Sequence, residues 1–256
     1  IKPMRSHQYA LGGYYTGING WEFSVEGYYK DMRNVLEYKD GVSFFGSSSG
    51  WENKVEMGKG RSAGIEFMAQ KTAGKTTGWL SYTLSKSDRK FTKGGINNGE
   101  WFPYKYDRRH SINLTINHKF SDRIDIGASW VFYTGGTSTI PEEKTTVIRP
   151  HNGANNGFLW YGTYDNTNSS PTIGDVSYIE HRNNFRLPAS HRLNLGVNFN
   201  KKTKHGMRTW NISLYNAYNA MNPAWVYRGH NKQGLSVIKK YTLLPLIPSF
   251  TYTYKF

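Results

Sequence analysis

The chain has 256 residues, a formal net charge of +15 and no cysteine. Disulfides, thiolate metal sites and thiol nucleophiles are therefore excluded, and no apolar run reaches the roughly 18–20 residues of a transmembrane helix. With 27 glycines and 16% aromatic but only 37% hydrophobic residues, the composition favours many strands and turns over helices.

The basic residues are scattered among strand-like segments and turns. No zinc finger, helical basic region or ribonucleoprotein motif accompanies them, so the charge predicts solvated turns or an anionic surface rather than nucleic acid. Ile1 is an unusual first residue for a whole gene product, and the expectation is a processed chain or a fragment.

Period-two alternation runs through the sequence. It predicts about nine long strands over 5–17, 21–38, 54–72, 76–90, 106–120, 123–135, 185–201, 206–228 and 233–256. In WEFSVEGYYK, Trp21, Phe23, Val25, Gly27 and Tyr29 share one face. Ala63, Ile65, Phe67 and Ala69 do so in the third strand, and Ile112, Leu114, Ile116 and Phe120 in the fifth. The sixth repeats the pattern with Ile124, Ile126, Ala128, Trp130 and Phe132, the seventh with Leu193, Leu195, Val197 and Phe199, and the eighth with Trp210, Ile212 and Leu214. The opposite faces carry Glu22, Glu26, Glu66, Gln70, Lys119, Asp125 and Arg192.

No segment between these strands has a helical pattern, so sequential antiparallel pairing is the simplest topology. The connections near 16–20, 73–75, 121–123 and 201–206 are short. Those at 39–53, 91–105 and 136–184 are long and rich in Gly, Asn, Ser and Thr, while 229–234 reads as a short exception among them. Short turns at one end and long loops at the other fit a meander that crosses a boundary, as outer-membrane barrels do. Strands of soluble sandwiches are usually about 5–6 residues long, and a small dry barrel would bury the charged face at high cost. Nine is an odd count where bacterial single-chain barrels have even ones, which predicts part of a larger barrel.

The tightest polar cluster is Asp107, Arg108, Arg109 and His110. In a strand Asp107 and His110 fall on opposite faces, so the cluster reads as strand-entry ion pairing, not as a catalytic pair. His151, His181, His191, His205 and His230 show no metal-ligand spacing, and Glu142 and Glu143 abut Lys144. GKGRSAG (58–64) has no following helix to receive a phosphate. Neither a cofactor nor an enzyme is predicted.

Several stretches carry a family resemblance. SHQYALGGYYTG (6–17), GKGRSAGIEF (58–67), PYKYDRRHSINL (103–114), LPASHRLNLGVNF (187–199), WNISLYNAYNAMNPAWVY (210–227) and LLPLIPSFTYTYKF (243–256) follow one another in order. Together the chain resembles the C-terminal barrel part of a TonB-dependent outer-membrane receptor of the Bacteroidetes type. The resemblance implies an all-β fold, a transmembrane antiparallel β-barrel of which residues 1–256 supply about nine of 22 strands. The plug domain, the TonB box and the first barrel strands would belong to a missing N-terminal segment.

It further implies active uptake of a scarce or large substrate (metal chelate, cobalamin, glycan or peptide) across the bacterial outer membrane. Energy would come from the TonB–ExbB–ExbD complex acting through the plug. The barrel assembly machinery, lipopolysaccharide and a surface lipoprotein are the other expected partners. The alternatives are a smaller complete barrel, acting as a passive channel or rim enzyme, and a soluble carbohydrate-binding β domain.

Candidate substrate contacts are the aromatics of the outer loops, Trp51, Trp101, Phe158, Trp160, Tyr161 and Tyr164, since aromatics beside Asn and Gly suit sugars, peptides and macrocycles. Trp130, Phe132, Phe199 and Trp210 read as girdle or packing residues. Phe250, Tyr252, Tyr254 and Phe256 should face lipid, with Ser249, Thr251, Thr253 and Lys255 toward the lumen. That ending resembles the signal read by barrel assembly machinery. Pro245 and Pro248 lack a ladder donor and are expected at a bulge or above the paired section.

Overall fold

Alternating segments of ten or more residues can bury only one face at a time, so their pairing decides where each face goes. A computed structural model describes residues 2–40, 50–93, 95–141, 143–148, 151–152, 158–159 and 173–256, with side chains over 2–40, 50–93, 95–141 and 178–256. The main sheet follows a single path: β1 (Arg5–Tyr15), β2 (Trp21–Tyr38), β3 (Val55–Lys71), β4 (Thr76–Lys90), β5 (His110–Lys119), β6 (Ile124–Tyr133), β7 (Ser190–Thr203), β8 (Gly206–Tyr215) and β9 (Ile247–Lys255). Each strand pairs antiparallel with the next. Phe102–Pro103 adds a short pairing to β4.

The links at 16–20, 72–75, 120–123 and 204–205 are tight. Gly20 takes φ +73°, where a Cβ would meet the Ala73 Cβ at 2.9 Å, so neighbouring turns abut there. Ser121 Oγ accepts the Arg123 and Ile124 amides, both at 3.2 Å, and closes its turn by side chain.

The other links are long without exception: 39–54, 91–109, 134–189 and 216–246. This corrects the reading of 229–234 as a short link between strands running to 228 and from 233. β8 stops at Tyr215 because Asn216 and Asn219 adopt positive φ, 54° each, which ends an extended ladder. The link 216–246 then forms its own hairpin, Pro223–His230 with Ser236–Thr242. The segment expected as strand 106–120 begins at His110, after a turn in which the Asp107 amide donates to Tyr104 O (2.7 Å). Phe185–Arg186 pairs with Thr137–Ser138 instead of extending β7. Inside the expected loop 136–184, Glu143–Ile148 pairs with Ile173–Tyr178, and His151–Asn152 with Phe158–Leu159. Pro248 sits within the β8–β9 pairing, opposite Leu214, on the open edge strand where a missing donor is tolerated.

Directly opposed residues share a face, so the register carries each strand's parity across the sheet. One row runs Tyr15, Phe23, Ala69, Leu80, Leu114, Trp130, Leu193. Another runs His118, Ile126, Val197, Ile212, Phe250. The apolar faces expected for single strands therefore merge into one continuous face. The polar parity merges as well: Glu26, Glu66, Thr83, Ser111, Tyr133 and Ser190 form one row, and Asp125, Asn198, Asn211 and Thr251 another.

On that polar face Asp125 accepts from Asn198 (2.7 Å) and Asn200 (2.6 Å). Asn211 donates to Asn198 and Thr209 to Asn200, both at 2.7 Å. Neighbouring polar groups thus satisfy one another along the wall.

The buried apolar core is small and lies off the sheet face. Val35, Phe91, Ile96 and Phe102 pack together at the loop end of β2–β4, with Met32 against them. Leu11, Ile65, Phe67, Leu80, Ile116, Leu195, Ile212 and Phe250 all remain exposed on the apolar face. A patch of that extent exceeds what a water-soluble monomer tolerates and calls for an apolar surrounding.

Candidate functional site

Charged residues in the long links would cost stability if they entered a protein interior unpaired. Here they staple the links together. Asp107 is 2% exposed. Its Oδ1 accepts the Ser87 amide (2.7 Å), and its Oδ2 meets Arg186 Nη2 (2.5 Å) and Arg109 Nη2 (3.6 Å). Arg186 Nη1 also donates to Asp107 O (2.7 Å) and Gly135 O (2.9 Å), so one guanidinium joins the link 134–189 to the link 91–109. A second clamp sets Glu37 against Arg89 (3.3 Å) and Arg182 (3.5 Å), with Arg182 reaching Asp40 (3.1 Å). The buried Glu56 carboxylate accepts the Lys93 and Gly95 amides (2.9 and 3.1 Å).

The first clamp, through Gly135, borders a cleft of about 430 Å³ lined by Lys105, Tyr106, Arg108, Tyr133, Ser138 and Trp225, among others. It opens at the loop end, where Tyr133 and Ser190 continue the polar parity of β6 and β7. Its cations lie over rings: Arg108 is 3.9 Å from the Tyr133 centroid and Lys105 Nζ 4.8 Å from that of Tyr106. Trp225 stacks on Tyr241 at 4.3 Å. On the same polar face Arg192 lies over Tyr215 (4.3 Å) and donates to its hydroxyl. No carboxylate is among the described residues that line the cleft. Guanidinium and ammonium groups spread on aromatic faces, without a neutralising acid, suit an anion or a planar polar group.

The expected contacts lie elsewhere. Trp51 opens a short 3-10 turn, Trp51–Lys54, and is 55% exposed. The Trp101 ring lies 4.3 Å from the Arg61 guanidinium and is 37% exposed. Neither lines the cleft, and no ring contact joins the two among the described residues. Phe158 lies in the short pair Phe158–Leu159, and its side chain is outside the described residues. Trp160, Tyr161 and Tyr164 lie outside them altogether. Tyr106, Arg108, Tyr133 and Trp225 escaped the sequence reading. Tyr133 and Trp225 stand at the ends of segments read as strands, and Arg108 was absorbed into the ion-pair cluster.

Of that cluster, Asp107 and Arg109 form an ion pair as the sequence indicated, whereas Arg108 turns into the cleft. Asp107 is engaged by two arginines, while His110 Nδ1 pairs with the Tyr82 hydroxyl (2.9 Å). The aromatics of the final strand lie where parity puts them. Trp210 packs against Phe250 (5.0 Å) and Tyr252 (4.5 Å), and Tyr254 lies 6.4 Å from Phe256.

The family model described as "TonB dependent receptor-like, beta-barrel" matches residues 1–228. Among solved structures the chain is similar to the ferric-catecholate import receptor Fiu of E. coli K12, with 14% identity and a TM-score of 0.53 over 98% of this chain and 28% of that one. It is also similar to the ferric citrate transporter FecA (11% identity, TM-score 0.51, 96% of this chain and 30% of that one). The third is the ferripyoverdine receptor of the Pseudomonas aeruginosa outer membrane (11% identity, TM-score 0.51, 97% of this chain and 26% of that one). At such identities the likeness bears on the fold, and this chain spans less than a third of each receptor. No curated protein sequence matches the chain.

Proposed function

The chain belongs to the TonB-dependent receptor-like β-barrel family, and on that premise we propose that it builds nine wall strands and the outer loops of an outer-membrane transporter. The carrying observation is the continuous apolar face, set against an equally continuous polar one, across all nine strands. In a barrel wall the first faces lipid and the second the lumen. The strict alternation of tight and long links supports periplasmic turns and extracellular loops.

In this reading the chain is the C-terminal part of a 22-strand barrel, of the kind found in Bacteroidetes. A preceding segment supplies the plug and the remaining strands, and it links the barrel to TonB–ExbB–ExbD and hence to protonmotive force. Phe250, Tyr252, Tyr254 and Phe256 serve assembly, and a surface lipoprotein caps the loops. The role is transport, not catalysis.

The cleft of Lys105, Tyr106, Arg108, Tyr133 and Trp225 is the substrate-contact region we favour, alongside the outer-loop aromatics Trp51, Trp101, Phe158, Trp160, Tyr161 and Tyr164. Its cations favour anionic members of the substrate classes the family resemblance left open. Uptake by a strain lacking the intact gene, complemented with wild type or with Arg108→Ala plus Trp225→Ala, tests this. Panels of labelled metal chelates, cobalamin, glycans and peptides should yield one substrate whose uptake needs TonB and falls at least about tenfold in the double variant at equal membrane levels, as for loss of roughly 1.4 kcal/mol of binding. Uptake independent of TonB would contradict the transport reading, and TonB-dependent uptake untouched by the variant would contradict the cleft.

A further inference from the structure

The hairpin Pro223–His230 with Ser236–Thr242 is a sheet of its own and shares no ladder with the wall among the described residues. It nevertheless supplies Pro223, Ala224, Trp225 and Val226 to the lining of the loop-end cleft, beside Tyr133 of β6 and Ser190 of β7. Contacts other than a β ladder must therefore set the hairpin against the wall.

Side chains just before the hairpin make the attachment. Asn222 Oδ1 accepts the His191 amide (3.0 Å), and Asn222 Nδ2 donates to His191 O (2.8 Å). A carboxamide carries the donor and the acceptor of a peptide group. Asn222 thus makes a backbone-like pairing with its side chain, just where the next residue, Pro223, has no N–H to offer. The orientation of its amide is unambiguous, because the His191 N–H can only donate and the His191 C=O can only accept. Asn216 and Asn219 adopt positive φ but Asn222 does not, so this position uses the side chain and not a special backbone. Tyr218 adds a second contact: its hydroxyl accepts from Trp130 Nε1 (3.1 Å) and lies 2.8 Å from His191 Nδ1. Farther along, Arg228 Nη1 donates to Pro141 O (3.3 Å). Asn222 is the contact that adjoins the cleft. It immediately precedes the lining residue Pro223, and its partner His191 immediately follows the lining residue Ser190.

We infer that Asn222 is a positioning residue of the cleft: clipped to both backbone groups of His191, it holds Pro223–Val226 in place as part of the substrate-contact surface. The inference rests on the cleft reading above and adds to it a residue that does not itself line the cleft. The clip needs donor and acceptor together. After Asn222→Asp, a carboxylate would accept the His191 amide but set a second acceptor against His191 O. Protonation restores a donor, and a carbonyl acceptor favours that protonated form. The clip of this variant is therefore present in acid and lost as pH rises. Asn231, in the same link, supplies the contrast. Its Oδ1 accepts the Gln233 and Leu235 amides, both at 2.9 Å, so a carboxylate there keeps both bonds.

The test uses the intact receptor in nanodiscs and reads amide hydrogen exchange over residues 216–230 as the ratio of variant to wild type at each pH. The titratable groups beside the clip are the His191 ring, the Tyr218 hydroxyl and the Lys240 ammonium, which donates to Met221 O at 3.0 Å. All are common to variant and wild type, so the ratio isolates the introduced carboxyl. Asn222→Asp should exchange about fivefold faster than wild type at about pH 7.5 and return to within about twofold at about pH 3.5. Asn231→Asp should match wild type at both. Equal exchange at the higher pH, or no recovery in acid, overturns the clip. The link to the cleft is read with pyrene-1,3,6,8-tetrasulfonate, a planar polyanion suited to cations spread on rings. The neutral Asn222→Ala should weaken its binding about fivefold at the higher pH, and unchanged affinity overturns the positioning role. Wild type that ignores this probe, or binds it equally after Arg108→Ala, contradicts the cleft reading instead, while the exchange ratios still decide the clip.

Discussion

Ala128 and Ser129 are neighbours on β6, and the register sends them to opposite faces. Ala128 stands opposite Ile116 and Leu195, midway along the apolar belt, and Ser129 opposite Thr115 and Asn194. Arginine at a bilayer midplane costs a transmembrane barrel about 2–4 kcal/mol, and little on the lumen side. At about 1.4 kcal/mol per tenfold, Ala128→Arg should shift the folding equilibrium by roughly 30-fold to 700-fold. Ser129→Arg, among polar groups and lumenal water, should change it by less than about fivefold on the same scale. Urea titration of the intact receptor in lipid, followed by heat-modifiable mobility, measures both. Equal costs for the two variants, or a larger cost for Ser129→Arg, would refute the assignment of faces.

Asp107→Asn leaves Arg186 and Arg109 without their carboxylate. Roughly 3–5 kcal/mol attends breaking a fully buried pair, and partial exposure of both arginines reduces this to about 2 kcal/mol. Limited proteolysis should then cut the loop end faster while the strands stay protected. Asn216→Ala removes contacts to Ala220 and Leu244 from a site that is 1% exposed. It also forces alanine into positive φ, so link 216–246 should exchange amide hydrogens at least about fivefold faster, for a loss of roughly 1–3 kcal/mol. Phe256→Ala should lower outer-membrane yield without changing substrate affinity of the receptor that does assemble; unchanged yield would remove the assembly role. In the tight link 120–123 the Lys119 ammonium, 2.9 Å away, holds the Asp122 carboxyl below its ordinary range. That pair is intact above about pH 4 and lost as pH falls through the lowered value, so protease resistance of this turn should be flat from about pH 5 to 8 and decline only in stronger acid.

Strand positions and faces were legible because period two is a local signal and each strand repeats it several times. WEFSVEGYYK alone assigns ten residues to two faces, and register only had to join the strips. The end of β8 was harder. Asn216, Asn219 and Asn222 each bond distant backbone: Asn216 reaches Leu244 O, Asn219 accepts the Leu246 amide, and Asn222 brackets His191. An Asn at period three reads as polar alternation until those partners are known. The cleft was illegible for a similar reason. Lys105, Tyr133 and Trp225 are far apart in sequence, and the clamps that place them near one another rest on pairings such as Asp107 with Arg186, which no local pattern encodes.

The central claim is that the apolar parity meets lipid. The absence of cysteine allows single labels without removing native thiols. Spin labels placed singly from residue 193 to 199 on β7 of the intact receptor in liposomes report accessibility to oxygen and to a water-soluble nickel chelate. Labels at 193, 195, 197 and 199 should favour oxygen and those at 194, 196 and 198 the chelate, in strict alternation. Chelate access at both parities, or no period of two, would contradict the account.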